Sequence, residues 1–193
     1  MTRLVADDIV STAAEKASLN AIREATRTAD GPMERHSLRV FVIAERLAAH
    51  HDRRVDREVL LTASLLHEIG AYPLASTGDV YTTDGRRFAE QLLERFSWPE
   101  IRVRACGDAI ENHHRTSPVW ELGPETELVR RADLVDVTAG WVALGLSRGW
   151  IRGLFTAVPR DGIYGELVRV VGGFIRERPE TIPRIPEGSR TSE

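Results

Sequence analysis

Lysine is almost absent from this chain: of its 26 basic residues only Lys16 is not an arginine. We read that bias as an effect of codon composition and expect a GC-rich bacterial source. Cysteine is as scarce. A lone Cys106 among 193 residues excludes an internal disulfide and a cysteine-rich zinc knuckle, and it suits a reducing interior. No apolar run approaches the roughly 18 residues that a membrane span needs, so no membrane partner is expected. Asp7 and Asp8 stand where a secretory peptide keeps its apolar segment, and the expected compartment is the cytoplasm. An excess of positive charge is missing too, since 26 basic against 29 acidic residues leave a net charge of −3. Nucleic acid is therefore not an expected partner, because neutralising its phosphates takes a concentrated basic face. What is present is 42% hydrophobic and 28% charged residues, enough to build one soluble domain with a core.

Long alternating strand patterns are lacking as well, and the periodicity is helical nearly throughout. The expected fold is all-α, a single helical domain over residues 1–178 with a disordered tail at 179–193, rich in Pro, Glu, Ser and Thr. Helices are expected at about 7–29, 33–51, 56–69, 84–96, 99–114, 124–146, 150–157 and 164–178. Asp30-Gly31-Pro32 breaks the first, Asp56 caps the third and Gly70 ends it, and prolines 99 and 124 open two others. Residues 71–83 have little helical period and read as a loop long enough to cover a site.

Each of four successive core helices carries a metal-capable side chain on or beside its apolar stripe: His36, then His67-Glu68, then His113-His114, then Asp133 with Asp136. Imidazole and carboxylate are costly to bury unless paired or bound to metal, so a shared explanation is needed. A divalent zinc, iron, manganese or nickel ion supplies one, and facing helices can present such ligands inward.

In order and in local sequence, these residues resemble the HD-domain superfamily of metal-dependent hydrolases. Arg35-His36-Ser37-Leu38-Arg39-Val40 is similar to its first-histidine helix, Leu65-Leu66-His67-Glu68-Ile69-Gly70 to its paired motif, and Ala132-Asp133-Leu134 to its terminal aspartate. Ala109-Ile110-Glu111-Asn112-His113-His114 is similar to a histidine-bearing helix of many members. The resemblance covers about residues 33–140, and Asp84-Gly85, residues 137–140 and Ala157-Val158-Pro159-Arg160 are similar to the cyanamide-hydratase-like branch. It implies a helical bundle with His36, His67, Glu68 and Asp133 as ligands of one divalent ion, which lowers the pKa of a bound water from about 16 toward 7. His113 is then a ligand or a donor to the substrate. Asp136 orients a ligand histidine or the attacking water, or trades places with Asp133 through an error of register. Arg39 reaches an anionic substrate or locks a carboxylate.

Two departures stand out. Glu68 replaces the signature aspartate with a side chain one methylene longer, and no histidine lies between Ile69 and Asn112 to serve a second metal. The expected activity is hydrolysis of a small molecule, a phosphomonoester or nucleotide; the alternatives are cyanamide-hydratase-like hydration of a nitrile-type carbon and a degenerate, non-catalytic ligand-binding domain. An iron oxygenase would need more ligands than are present. Other features have plainer readings. His50-His51-Asp52 is surface, Cys106 is packing, and Asp133 has Arg130 and Arg131 as competing partners. The Arg-Arg pairs at 53–54, 86–87 and 130–131 are scattered solvated faces, with 86–87 within reach of a phosphate. At most one of His113 and His114 faces the site. Trp120, Trp141 and Trp150 are core or interface anchors, and aromatic surface near Trp150 and Phe155 suggests a homodimer.

Overall fold

Capping signals place the first helices. Helix α1 (Ala13–Thr26) opens on a capping box, in which Thr12 accepts from the Glu15 amide and Glu15 accepts from the Thr12 amide. α2 (Pro32–His50) begins with a proline, whose missing N–H costs nothing in a first turn. α3 (Arg57–Leu66) begins after Asp56, whose carboxylate accepts from the Val59 amide. There follow α4 (Tyr81–Leu93), α5 (Glu100–Asn112), α6 (Pro124–Val137) and α7 (Arg148–Ala157), with short 3-10 turns at Ala6–Asp8, Ile69–Ala71, Glu94–Phe96 and Trp120–Leu122. The computed structural model describes residues 3–168 and has no strand among them, so the protein is all-α.

α2 packs against α3 and α6, and α5 packs against α3, α4 and α6. Their contact faces form one core, with Val40, Ile43 and Leu47 meeting Leu60, Leu65, Ile110, Val129 and Val135, all buried. The helices that carry the metal-capable residues are thus the ones that meet at the centre. No described helix is long and apolar enough to cross a membrane.

Boundaries differ from the sequence expectation where the chain satisfies its backbone by other means. The first expected helix is divided into a 3-10 turn and α1. α6 ends at Val137, nine residues before Leu146, because Gly140 N–H bonds to Val135 C=O and Ala139 and Gly140 take positive φ. α4 starts three residues before Asp84, whose buried carboxylate instead accepts from the Thr77 and Asp79 amides and pins the preceding loop. Residues 163–168 are helical; the rest of the expected helix to 178 and the tail lie outside the described residues. Trp150 and Phe155 are half-buried against the core, while Trp141 is exposed.

Gly70 sits where two elements touch. A Cβ there would lie 1.9 Å from the Tyr81 carbonyl oxygen and 2.5 Å from the Gly85 amide nitrogen, both backbone atoms that cannot swing aside. Only a glycine lets the chain leaving α3 run against the start of α4. Gly70→Ala is therefore expected to destabilise the fold by about 3 kcal/mol, read from urea unfolding; a loss under about 0.5 kcal/mol would contradict the close approach.

Candidate metal centre

His67 and His113 stand immediately after α3 and α5, where the last carbonyls of a helix lack intrahelical partners. Each ring takes one of these carbonyls: His67 Nδ1 donates to Ser64 O at 2.8 Å and His113 Nδ1 to Ile110 O at 2.6 Å. A carbonyl only accepts, so in both rings Nδ1 carries the proton and Nε2 presents a lone pair. His36, in the first half of α2, is held by a carboxylate, Nδ1 donating to Asp136 Oδ2 at 2.7 Å. All three rings are buried with Nε2 toward a common space. The Nε2 atoms of His36 and His67 are 3.1 Å apart, and the ring centres of His67 and His113 are 5.0 Å apart.

Two acids face these nitrogens. Asp133 Oδ1 lies 3.3 Å from His36 Nε2 and 3.9 Å from His67 Nε2, yet it is buried without a hydrogen bond. Glu68 Oε1 lies 4.0 Å from His67 Nε2 and 3.8 Å from His113 Nε2. Burial penalises ionised Glu68, but the neighbouring His113 and His67 rings outweigh it and hold the pKa at about 2. Asp133 is likewise driven below the usual carboxylate range: His36 overcomes the cost of burial. Two lone pairs at contact distance beside two buried carboxylates repel unless a positive charge lies among them. A proton on His36 is one source: Asp133 and Asp136 outweigh desolvation and raise its pKa to about 9, whereas His67 is pushed down to about 4 by burial and by the other two rings.

The donor set also fits a divalent cation. Two triplets of ligand atoms lie within 4.8 Å of one another, His36 with His67 and Asp133, and His67 with Glu68 and His113. They share His67, whose ring has a single lone pair to give, so they are alternative seats for one ion. Glu68 falls in the second triplet because its side chain leads toward His113.

The remaining site residues expected from sequence divide sharply. Asp136 and Arg39 are fully buried behind His36. Arg39 forms a two-pronged pair with Asp136, at 2.7 and 2.9 Å, and also donates to Pro159 O at 2.8 Å. Its position one turn after His36 brings it to α6, and Asp136 captures it, so Arg39 does not reach toward a substrate. Arg160 donates to Asp136 O at 2.6 Å and adds a second link from the chain beyond α7. Arg130 and Arg131 pair with buried Glu127, which leaves Asp133 to the histidines. His113 and His114 both come to the site, because α5 ends just before them and their rings sit 4.0 Å apart. His114 forms the rim, its side chain 52% exposed and its Nε2 3.9 Å from Glu68 Oε1. Tyr81, placed by sequence in a loop, opens α4 with its hydroxyl 3.5 Å from His113 Nε2. The helical start at Tyr81 was its only signal, and the glycine nearby obscured it.

The HD domain family matches residues 33–140, more than half of the chain, and the chain belongs to that family. Among solved structures, the fold is similar to that of a predicted HD superfamily hydrolase from an uncultured Thermotogales bacterium, at 23% identity and a TM-score of 0.51. That match covers 84% of this chain and 91% of the other. No curated protein matches.

Two outcomes test the centre. Asp136→Asn, which keeps the shape but not the charge behind His36, is expected to weaken zinc affinity by roughly 10–100-fold, measured by competition with a chromophoric chelator; unchanged affinity would show that the acid does not orient the ring. Because a proton on His36 occupies the coordinating nitrogen below pH about 9, a metal must displace it. Zinc uptake at pH 7 should release about one proton, affinity rising with pH until that point. Calorimetry in two buffers of different ionisation enthalpy measures the proton, and uptake without release would contradict the assignment.

Proposed function

We propose that the protein hydrolyses a small molecule, a phosphomonoester or nucleotide, with a metal-activated water as nucleophile. The observation that carries this reading is the 3.1 Å approach of two imidazole lone pairs beside the unpartnered Asp133 Oδ1. One zinc, iron, manganese or nickel ion would be held by His36, His67 and Asp133, with Glu68 left beside it. Such an ion supplies Lewis acidity and lowers the pKa of water toward neutrality.

The chain's own groups would do the rest. Glu68, ionised at neutral pH, accepts a hydrogen bond from the attacking water and orients it. Tyr81 keeps its proton, because burial and the charges of Glu68 and Asp133 raise its pKa far above the usual phenol value. Its hydroxyl is then a donor for negative charge that develops on the substrate, while the His113 Nε2 lone pair faces the same space. His36 and Asp136 hold their geometry throughout, sealed from water by Arg39 and Pro159.

One observation favours a second reading, hydration of an uncharged nitrile-type carbon. The arginines considered for phosphate binding are engaged elsewhere: Arg39 by Asp136, Arg86 by Glu90, Asp108 and Glu111, and Arg87 by Asp79 and Asp84. An uncharged substrate needs no such clamp.

Elemental analysis of protein purified without chelator, beside His36→Ala, should find about one divalent ion per chain in the first and background levels in the second. Assays with p-nitrophenyl phosphate, a nucleotide panel and cyanamide then separate the two chemistries. Protein that stays metal-free after incubation with all four ions overturns the proposal, and metal-loaded protein inactive on every substrate leaves a ligand-binding domain.

A further inference from the structure

Outside the metal centre the fold collects residues that look scattered in the sequence. Arg53 just past α2, Trp120 in the turn before α6, and Arg131 on α6 meet at one corner. The guanidinium carbons of Arg53 and Arg131 lie 5.0 and 5.1 Å from the centre of the Trp120 ring, so the two cations are held within about 10 Å of each other. His51 stands edge-on to the same indole, with 6.3 Å between ring centres. Arg131 Nη1 donates to His51 Nε2 at 3.2 Å, which commits that lone pair and keeps a metal ion from it.

Ion pairing at this corner leaves one arginine over. Glu127 is the carboxylate paired with Arg131, but Arg130 takes both of its oxygens as well, so one acid serves two arginines. Among the described residues Arg53 has no carboxylate partner; its side chain lies over the indole. Asp52 and Glu121, the exposed acids of the adjoining chain, pair with neither arginine. The electrostatic consequence registers on His51, where burial and then the charges of Arg131, His50 and Arg53 push the pKa down.

We propose that this corner binds a phosphate-class oxyanion between the guanidinium groups of Arg53 and Arg131. A planar guanidinium offers paired N–H donors matched to phosphate oxygens, and stacking on the indole orients each before a ligand arrives. Pre-orientation lowers the entropy lost on binding, and Arg53 brings a charge that no carboxylate among the described residues pairs. The site is separate from the metal centre and does not depend on its being catalytic.

The test follows the indole N–H resonance of Trp120 in the 15N-labelled full chain, assigned with Trp120→Phe, during titration with inorganic phosphate at pH 7 and constant ionic strength. A saturable shift is expected, weakened by about tenfold in Arg53→Gln, which removes an exposed side chain with no ion pair. Arg131→Lys, which keeps the charge for Glu127 but loses the planar fork, should weaken it also. Asp133→Ala should leave the shift intact, because the acid it removes belongs to the metal centre. Circular dichroism checks that each variant is folded. A parallel titration with a nucleoside monophosphate shows whether free phosphate or a phosphomonoester is preferred, and saturable binding of either through Arg53 supports the site. No saturable shift, a shift unchanged in Arg53→Gln, or one lost in Asp133→Ala overturns it.

Discussion

A neutral imidazole has one proton to give and one lone pair to offer, and in His36, His67 and His113 the proton is already committed. Asp136, Ser64 C=O and Ile110 C=O take it on the far side of each ring. Three lone pairs are thereby turned to one space, and the acids that face them are held in ionised form. The arrangement is self-consistent only with positive charge at its centre, whether a proton on His36 or a divalent cation. Family membership agrees with that conclusion, but the hydrogen bonds reach it independently.

The anchoring device is inexpensive because it uses what helices leave over. An α-helix ends in carbonyls without partners, and a histidine one residue past the end can bond back to one of them. α3 and α5 both stop in this way, so their terminations satisfy the backbone and set the tautomers at once. The third ring, inside α2, has no such carbonyl and needs a side chain. That explains the buried pairing of Asp136 with Arg39: a lone carboxylate so deep would be costly, and the guanidinium offsets its charge while Pro159 C=O and Arg160 lock the group from the chain beyond α7. Fold and site share these bonds.

How much could be read in advance follows from the range of each interaction. The helical class and the convergence of His36, His67 and Asp133 were legible, because apolar stripes at helical spacing tell which faces meet. The end of α6 was not, since its apolar pattern runs past Val137 while the hydrogen bond from Gly140 and two positive φ values end the helix. The role of Arg39 was open for another reason: spacing put it beside His36, but nothing local told whether an external anion or Asp136 would claim it. Trp120 and its two arginines were invisible, being joined only by tertiary packing from three segments of chain.

The longer acid at position 68 shapes the centre more than its conservative chemistry suggests. The two candidate seats draw on the same His67 lone pair, so an ion must choose between Asp133 with His36 and Glu68 with His113. Asp133 Oδ1 is the buried atom without a hydrogen bond, whereas Glu68 has both His113 and His114 within 4 Å. A cation gains most where a donor is otherwise unmet, which favours the first seat. Glu68 and His113 then remain beside the ion instead of being spent on it, next to Tyr81 and the half-exposed His114 at the rim. The longer acid at position 68 is thus left with His113 and with His114 at the exposed edge of the site.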